Sequence, residues 1–279
     1  MDGNLTKLGG SLLVPSVQEL AEETITEVPP RYVRSDQDHP VIHDDLGTSL
    51  LQVPVIDLNK LLSSNDNSLE SELENLHVAC RDWGFFQLIN HGVSCSLVEE
   101  VKLEIEEFFK LPMEEKRTFW QEEGDVEGFG QSFVVSEEQK LDWADRFYMV
   151  SLPRHLRKPR LFPMLPSPFR DVLDKYSTEL RDLAMKILLL IAKALKMDTK
   201  EVIELFDGGR QALRMNYYPP CPRPELVIGL TPHSDASALT ILLQVNEMEG
   251  LQIKKEDKWI PIKPLPDAFI VNVGDILEH

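Results

Sequence analysis

Leu213–Leu243 reads LRMNYYPPCPRPELVIGLTPHSDASALTILL, and the fold and chemistry of the chain both turn on this stretch. Within it His233 and Asp235 stand two apart, ahead of an apolar run, Leu239 to Leu243, that reads as a strand. Side chains two apart on an extended segment point to the same face, so an imidazole nitrogen and a carboxylate oxygen can converge on one metal ion. Ala236, Ser237 and Ala238 are small and leave room beside the pair. An H-x-D triplet by itself is commonly a solvated turn; its place between a Tyr-Tyr-Pro strand end and an apolar strand is what favours a metal site here.

Outward from that stretch the period stays strand-like to the last residues. Ala212–Tyr218, Leu226–Leu230, Leu239–Val245, Leu251–Lys254, Trp259–Ile262 and Ala268–Val273 are short β-rich runs separated by turn residues, the rhythm of an antiparallel sandwich or barrel. The N-terminal side is mixed. Ser16-Val17-Gln18-Glu19 fits a capping box opening a short helix that Pro29 and Pro30 end, and residues 31–52 read as an extended arm. Val53–Leu58 is the first strand, and Leu69, Leu73, Leu76, Cys80 and Trp83 recur at helical spacing up to Gly84. Phe85–Asn90 is a buried strand; a helix follows from about Ser96 to Lys110 with its acids on the solvent face. His77 reads as a core-edge imidazole and His91 as a turn residue bonding nearby backbone.

Gly124, Gly128 and Gly130 lack the strand-then-helix setting of a phosphate loop and predict a mobile connection. Strands are expected at Ser132–Val135 and Arg146–Val150, then the longest helix at Phe169–Lys196 and a short one capped by Asp198 and closed by Gly208-Gly209. The expected class is α+β, with an N-terminal arm over 1–52, an α/β region over 53–150, helical support over 151–208 and a β-rich catalytic region over 209–279.

Composition bounds the function. The 279 residues are 42% hydrophobic, ordinary for a globular protein, and the formal net charge of −18 disfavours nucleic acid and anionic membranes as partners. Cys80, Cys95 and Cys221 form neither a C-x-x-C nor an even disulfide set. With no basic start followed by a long apolar core at the N-terminus, a cytoplasmic protein is expected, its partner a small-molecule substrate.

Several stretches together resemble the plant iron(II)- and 2-oxoglutarate-dependent dioxygenases: WGFFQLINHGV (83–93), LDWAD (141–145), MNYYPPCPRP (215–224), GLTPHSD (229–235), GLQI (250–253) and NVGD (272–275). LVPSVQELA and EGFGQSFVVSEEQKLDWAD resemble the senescence-related branch that includes alkaloid O-demethylases. The resemblance implies a double-stranded β-helix, or jelly roll, that holds Fe(II) by two histidines and a carboxylate. It implies 2-oxoglutarate and dioxygen as co-substrates and ascorbate as reductant. His233 and Asp235 match two of the metal ligands, and Asn216 and Tyr218 match positions that hydrogen-bond 2-oxoglutarate; strand packing is the alternative reading of the latter pair. Arg214 is left open between pocket and solvent.

The chain also departs from the family. The family's third ligand, a histidine, and the Arg-x-Ser that anchors the distal carboxylate of 2-oxoglutarate come after NVGD. Here His279 is the only histidine after Asp235, and no arginine follows Arg223. A ligand histidine needs a returning strand to bring it back to the metal, so His279 reads as a terminal residue and the jelly roll as incomplete at its C-terminal end. Two readings follow. One is an oxygenase that hydroxylates or O-demethylates a small specialised metabolite, alkaloid or phenolic, with activity impaired in a truncated chain. The other is a pocket that binds without turnover.

Overall fold

The computed structural model describes residues 11–23, 25–34, 52–131 and 133–278. Its elements run α1 (Val17–Glu22), β1 (Val55–Asp57), α2 (Leu58–Leu61), α3 (Asp66–Val78), β2 (Phe85–Ile89), α4 (Cys95–Lys110) and α5 (Met113–Lys116). There follow β3 (Gly128–Gly130), β4 (Asp145–Leu152), α6 (Phe169–Ala194), α7 (Thr199–Phe206) and β5 (Gln211–Tyr217). The series closes with β6 (Leu239–Leu242), β7 (Gln252–Lys255), β8 (Lys258–Pro261), β9 (Phe269–Val273) and α8 (Asp275–Glu278). The chain divides into two compact units that alternate along the sequence: Met1–His39, Leu103–Asp174 and Arg210–Pro232 form the first; Pro40–Lys102, Lys175–Gly209 and His233–His279 form the second.

The first unit is built on the antiparallel sheet β3–β4–β5. Alternation along β4 sends Phe147 and Met149 into an aromatic core with Phe108, Phe119 and Phe129, while Arg146 and Tyr148 take the opposite face. The LDWAD segment ties this unit together. Asp142 Oδ1 accepts from Thr231 Oγ1 and Arg34 Nη2, and Trp143 Nε1 donates to the Pro219 carbonyl at 3.1 Å. The buried Asp145 accepts from Ser16 Oγ (2.6 Å) and from the amides of Val17 (2.9 Å) and Gln18 (2.8 Å), a carboxylate on the first turn of α1 where unpaired N–H groups need an acceptor.

In the second unit β1–β2–β9–β6 form one sheet, and β7–β8 form a hairpin whose Glu256 and Asp257 both take the left-handed backbone that a tight hairpin turn requires. β1 and β2 are parallel and therefore need a crossover, which α2 and α3 supply; the other pairings are antiparallel. β9 is flanked on both edges, so Phe269, Ile270 and Val271 are all buried. Tyr176 of α6 meets Phe269, and Leu188 and Ala192 pack with Val202 of α7.

Most expected elements are present. Ser16 caps α1, Asp198 caps α7, Gly84 ends the helical run at φ 64°, and His91 Nδ1 accepts from the Val93 amide. The differences have local causes. Helix α1 ends at Glu22, before the prolines, and β1 covers only Val55–Asp57 of the expected Val53–Leu58 because Asp57 also caps α2, which begins at Leu58. The glycine cluster is not a connection: Gly128–Gly130 is a buried strand. Its glycines are needed because both take positive φ (+132° at Gly128, +128° at Gly130) and a Cβ on Gly128 would run into the Gln121 backbone. Residues 133–135 form no strand: Phe133 takes φ 63°, and Val134 and Val135 donate to the side chains of Ser11 and Gln139. Leu226–Leu230 is likewise not a strand; the Leu226 and Ile228 carbonyls accept from Arg34 and Trp143 outside any ladder. Much of the expected arm, like Ser132 and His279, lies outside the described residues.

A Cβ on Gly128 would lie 2.7 Å from Gln121 Cα, so Gly128→Ala combines overpacking with a disfavoured backbone. It is expected to lower stability by about 2 kcal/mol, read as a lower urea midpoint at unchanged slope. No helix among the described residues is long and apolar enough to cross a membrane.

Candidate metal centre

His233 and Asp235 lie in the second unit, on the segment that leads into β6. Asp235 Oδ1 stands 3.5 Å from His233 Nε2. The other oxygen, Oδ2, accepts from Thr240 Oγ1 at 2.7 Å and from Asn272 Nδ2 at 2.8 Å. Thr240 and Asn272 are directly opposed in the β6–β9 register, so one cross-strand pair grips one carboxylate oxygen and leaves the other turned toward the imidazole. The backbone of the same segment is fastened to the end of β9. The amides of Gly274 and Asp275 donate to the carbonyls of Ala238 (2.9 Å) and Asp235 (2.8 Å). Gly274 approaches so closely that a Cβ there would lie 2.1 Å from the Ser237 carbonyl oxygen.

The His233 contact, with Asn272 and Thr240 behind it, holds the Asp235 carboxyl well below the usual carboxylate range despite partial burial. It is therefore an anion at neutral pH. Two ligands of one ion, each about 2.1 Å from it, stand at most about 4.2 Å apart, so the 3.5 Å separation fits a shared metal. Imidazole nitrogen plus carboxylate oxygen is the donor chemistry of the two-histidine, one-carboxylate iron(II) sites. No group of three such ligands occurs among the described residues.

Asn216 and Tyr218 belong to the first unit. The Asn216 carbonyl oxygen accepts from Arg214 Nε at 2.9 Å, and the Tyr218 ring lies against Gly229, where a Cβ would come within 2.8 Å of it. Arg214 and Asn216 are both exposed. The sequence reading singled out His233 and Asp235 but assigned no role to Thr240, Asn272 or Gly274. Asn272 carried a signal, as the one polar residue in the apolar strand FIVNV, since a buried amide must find a partner.

Comparison with known proteins gives a consistent family. Residues 53–165 match the model of the non-haem dioxygenase N-terminal region in morphine synthesis, and residues 209–279 match that of the 2OG-Fe(II) oxygenase superfamily. The chain is 59% identical over 272 residues to oxoglutarate-dependent flavonoid 7-O-demethylase 1 of Ocimum basilicum, covering 97% of this chain and 71% of that protein. It is 55% identical over 278 residues to codeine O-demethylase of Papaver somniferum, covering 98% of this chain and 76% of the relative. Among solved structures, JOX2 in complex with 2OG, Fe and JA superposes with a TM-score of 0.83 at 36% identity, over 95% of this chain and 74% of that one. The chain belongs to the 2-oxoglutarate- and iron(II)-dependent oxygenases, and its α+β fold is built on their jelly-roll core.

Proposed function

We propose that this protein oxidises a small specialised metabolite, alkaloid or phenolic, by hydroxylation or O-demethylation, with His233 and Asp235 as iron ligands and Asn216 and Tyr218 as contacts to 2-oxoglutarate. The observation that carries the reading is the orientation of Asp235, whose Oδ2 is occupied by Thr240 and Asn272 while Oδ1 faces His233 Nε2. Relatives named as O-demethylases of a flavonoid, codeine and thebaine, at 54–59% identity, support the substrate class. Iron bound at this pair would supply the oxidation, at the expense of 2-oxoglutarate and dioxygen, with ascorbate keeping the metal reduced. The protein's own part is to hold the carboxylate ionised and aimed. Three free thiols support a reducing, cytoplasmic setting; burial pushes Cys80 up to about 12 and keeps it a thiol.

A second reading is a pocket that binds without turnover. Anaerobic titration with iron(II) and 2-oxoglutarate separates these readings from a failure of both. A saturable visible charge-transfer band is expected, and its absence would remove the metal assignment. Succinate formed in air in proportion to substrate consumed would favour the enzyme over the binding protein.

A further inference from the structure

Arg146 is a buried guanidinium that no described carboxylate neutralises. The residue is 7% exposed, its Nη2 donates to the Val126 carbonyl at 3.0 Å, and its Nε has no hydrogen-bond partner. Among the described residues no carboxylate pairs with it. Burial, and with it the like charge of Arg214, pulls the Arg146 guanidinium below its ordinary range. In the β4–β5 ladder Arg146 stands opposite Asn216, and Tyr148 opposite Arg214, so these four side chains share one face of the sheet. The rings of Phe133 and Tyr148 flank the guanidinium at 5.5 and 5.6 Å.

A folded chain rarely keeps a buried charge unpaired, because desolvation is then uncompensated. Two arginines on one face, one with an unused Nε–H beside its Nη groups, form a fork for a planar anion. The flanking rings offer stacking surface to an aromatic body carrying that anion. A protonated amine would meet two like charges there. We propose that Arg146, aided by Arg214, is a specificity-determining residue that recognises the carboxylate or acidic phenol of an aromatic substrate and disfavours cationic alkaloids. The inference rests on the oxygenase reading only in calling that ligand a substrate.

The test is calorimetric titration of the 279-residue chain, without added metal, with 4-methoxybenzoate, the neutral 4-methoxybenzamide and the cationic 4-methoxybenzylamine. Running it metal-free keeps the result readable even if iron fails to bind. The acid is expected to bind at least tenfold more tightly than the amide, and the amine more weakly than either. Arg146→Met is expected to abolish the acid preference while melting at the same or a higher temperature, because an unpaired buried charge is replaced by an apolar side chain of similar length. Arg214→Gln should reduce the preference severalfold. Equal binding of acid and amide, no acid binding, or an acid preference that survives Arg146→Met would overturn the proposal. A lower melting temperature or failure to fold would make Arg146 a structural residue and overturn it equally. In a parallel arm 2-oxoglutarate is titrated; if Arg146→Met weakens it tenfold, the carboxylate held there is the co-substrate's and the substrate assignment falls.

Discussion

Asp235→Ala is expected to cost the chain both its iron-dependent absorption and stability, whereas His233→Ala should cost the absorption with a smaller loss of stability. Both variants remove one of the two proposed ligands. They differ in what they leave behind. Asp235 Oδ2 is the acceptor for Asn272 Nδ2 and Thr240 Oγ1, and Asn272 is buried in the central strand, so truncating the carboxylate strands an amide in the sheet. Leaving one buried donor unsatisfied costs about 1–3 kcal/mol. The His233 side chain is 41% exposed, so removing it gives up its contact with Asp235 Oδ1 but strands no buried donor, and the urea midpoint should fall less than for Asp235→Ala. The depressed carboxyl gives the effect a pH signature. A group whose folded pKa lies below its unfolded value stabilises above the latter, about 3.9 for aspartate, and that share is lost as pH falls below it. The gap between parent and Asp235→Ala should therefore close in acid. Equal stabilities of Asp235→Ala and His233→Ala at pH 7 would show that the cross-strand grip on Asp235 contributes nothing.

The second large effect is expected at Gly274→Ala. An added Cβ would fall 2.1 Å from the Ser237 carbonyl oxygen and 2.8 Å from that of Asp235, so the backbone of one segment must move. Neither contact is with a flexible side chain. Overpacking at such a point costs about 3 kcal/mol, toward the top of its usual span. The displaced segment carries Asp235 and is held by the Gly274 and Asp275 amides, so iron affinity should fall along with stability even though no ligand has changed. Thermal melting and the iron titration, run on the same sample, check the two halves. A variant that melts like the parent would mean that the segment yields without cost.

What could be read from the sequence follows the range of the interactions involved. Caps such as Ser16 and Asp198, the stop at Gly84 and the buried stripe of α6 are set within a few residues, and a linear reading finds them. His233 and Asp235 could be paired for the same reason, being two apart. Gly128–Gly130 could not be read as a strand, because what makes it one is the Gln121 backbone on one side and β4 on the other, with glycine's usual meaning as a breaker pointing the wrong way. Leu226–Leu230 has strand composition, yet its carbonyls are taken by Arg34 and Trp143, which lie far off in the chain. Arg146 in the sequence is only the start of an expected strand; that it is buried, with no described carboxylate beside it, emerges only when β4 and β5 are set in register.

The grip of Thr240 and Asn272 on a single oxygen makes strand alignment and chemical readiness one event. A slip of β6 against β9 by one residue would turn Thr240 to the opposite face, and the carboxylate would lose its aim at the moment the sheet lost its register. Correct pairing of β6 with β9 is thus a condition for the aimed carboxylate. Slowed amide exchange at Thr240 and Asn272 would in that case serve as a census of competent molecules, taken before any metal is added.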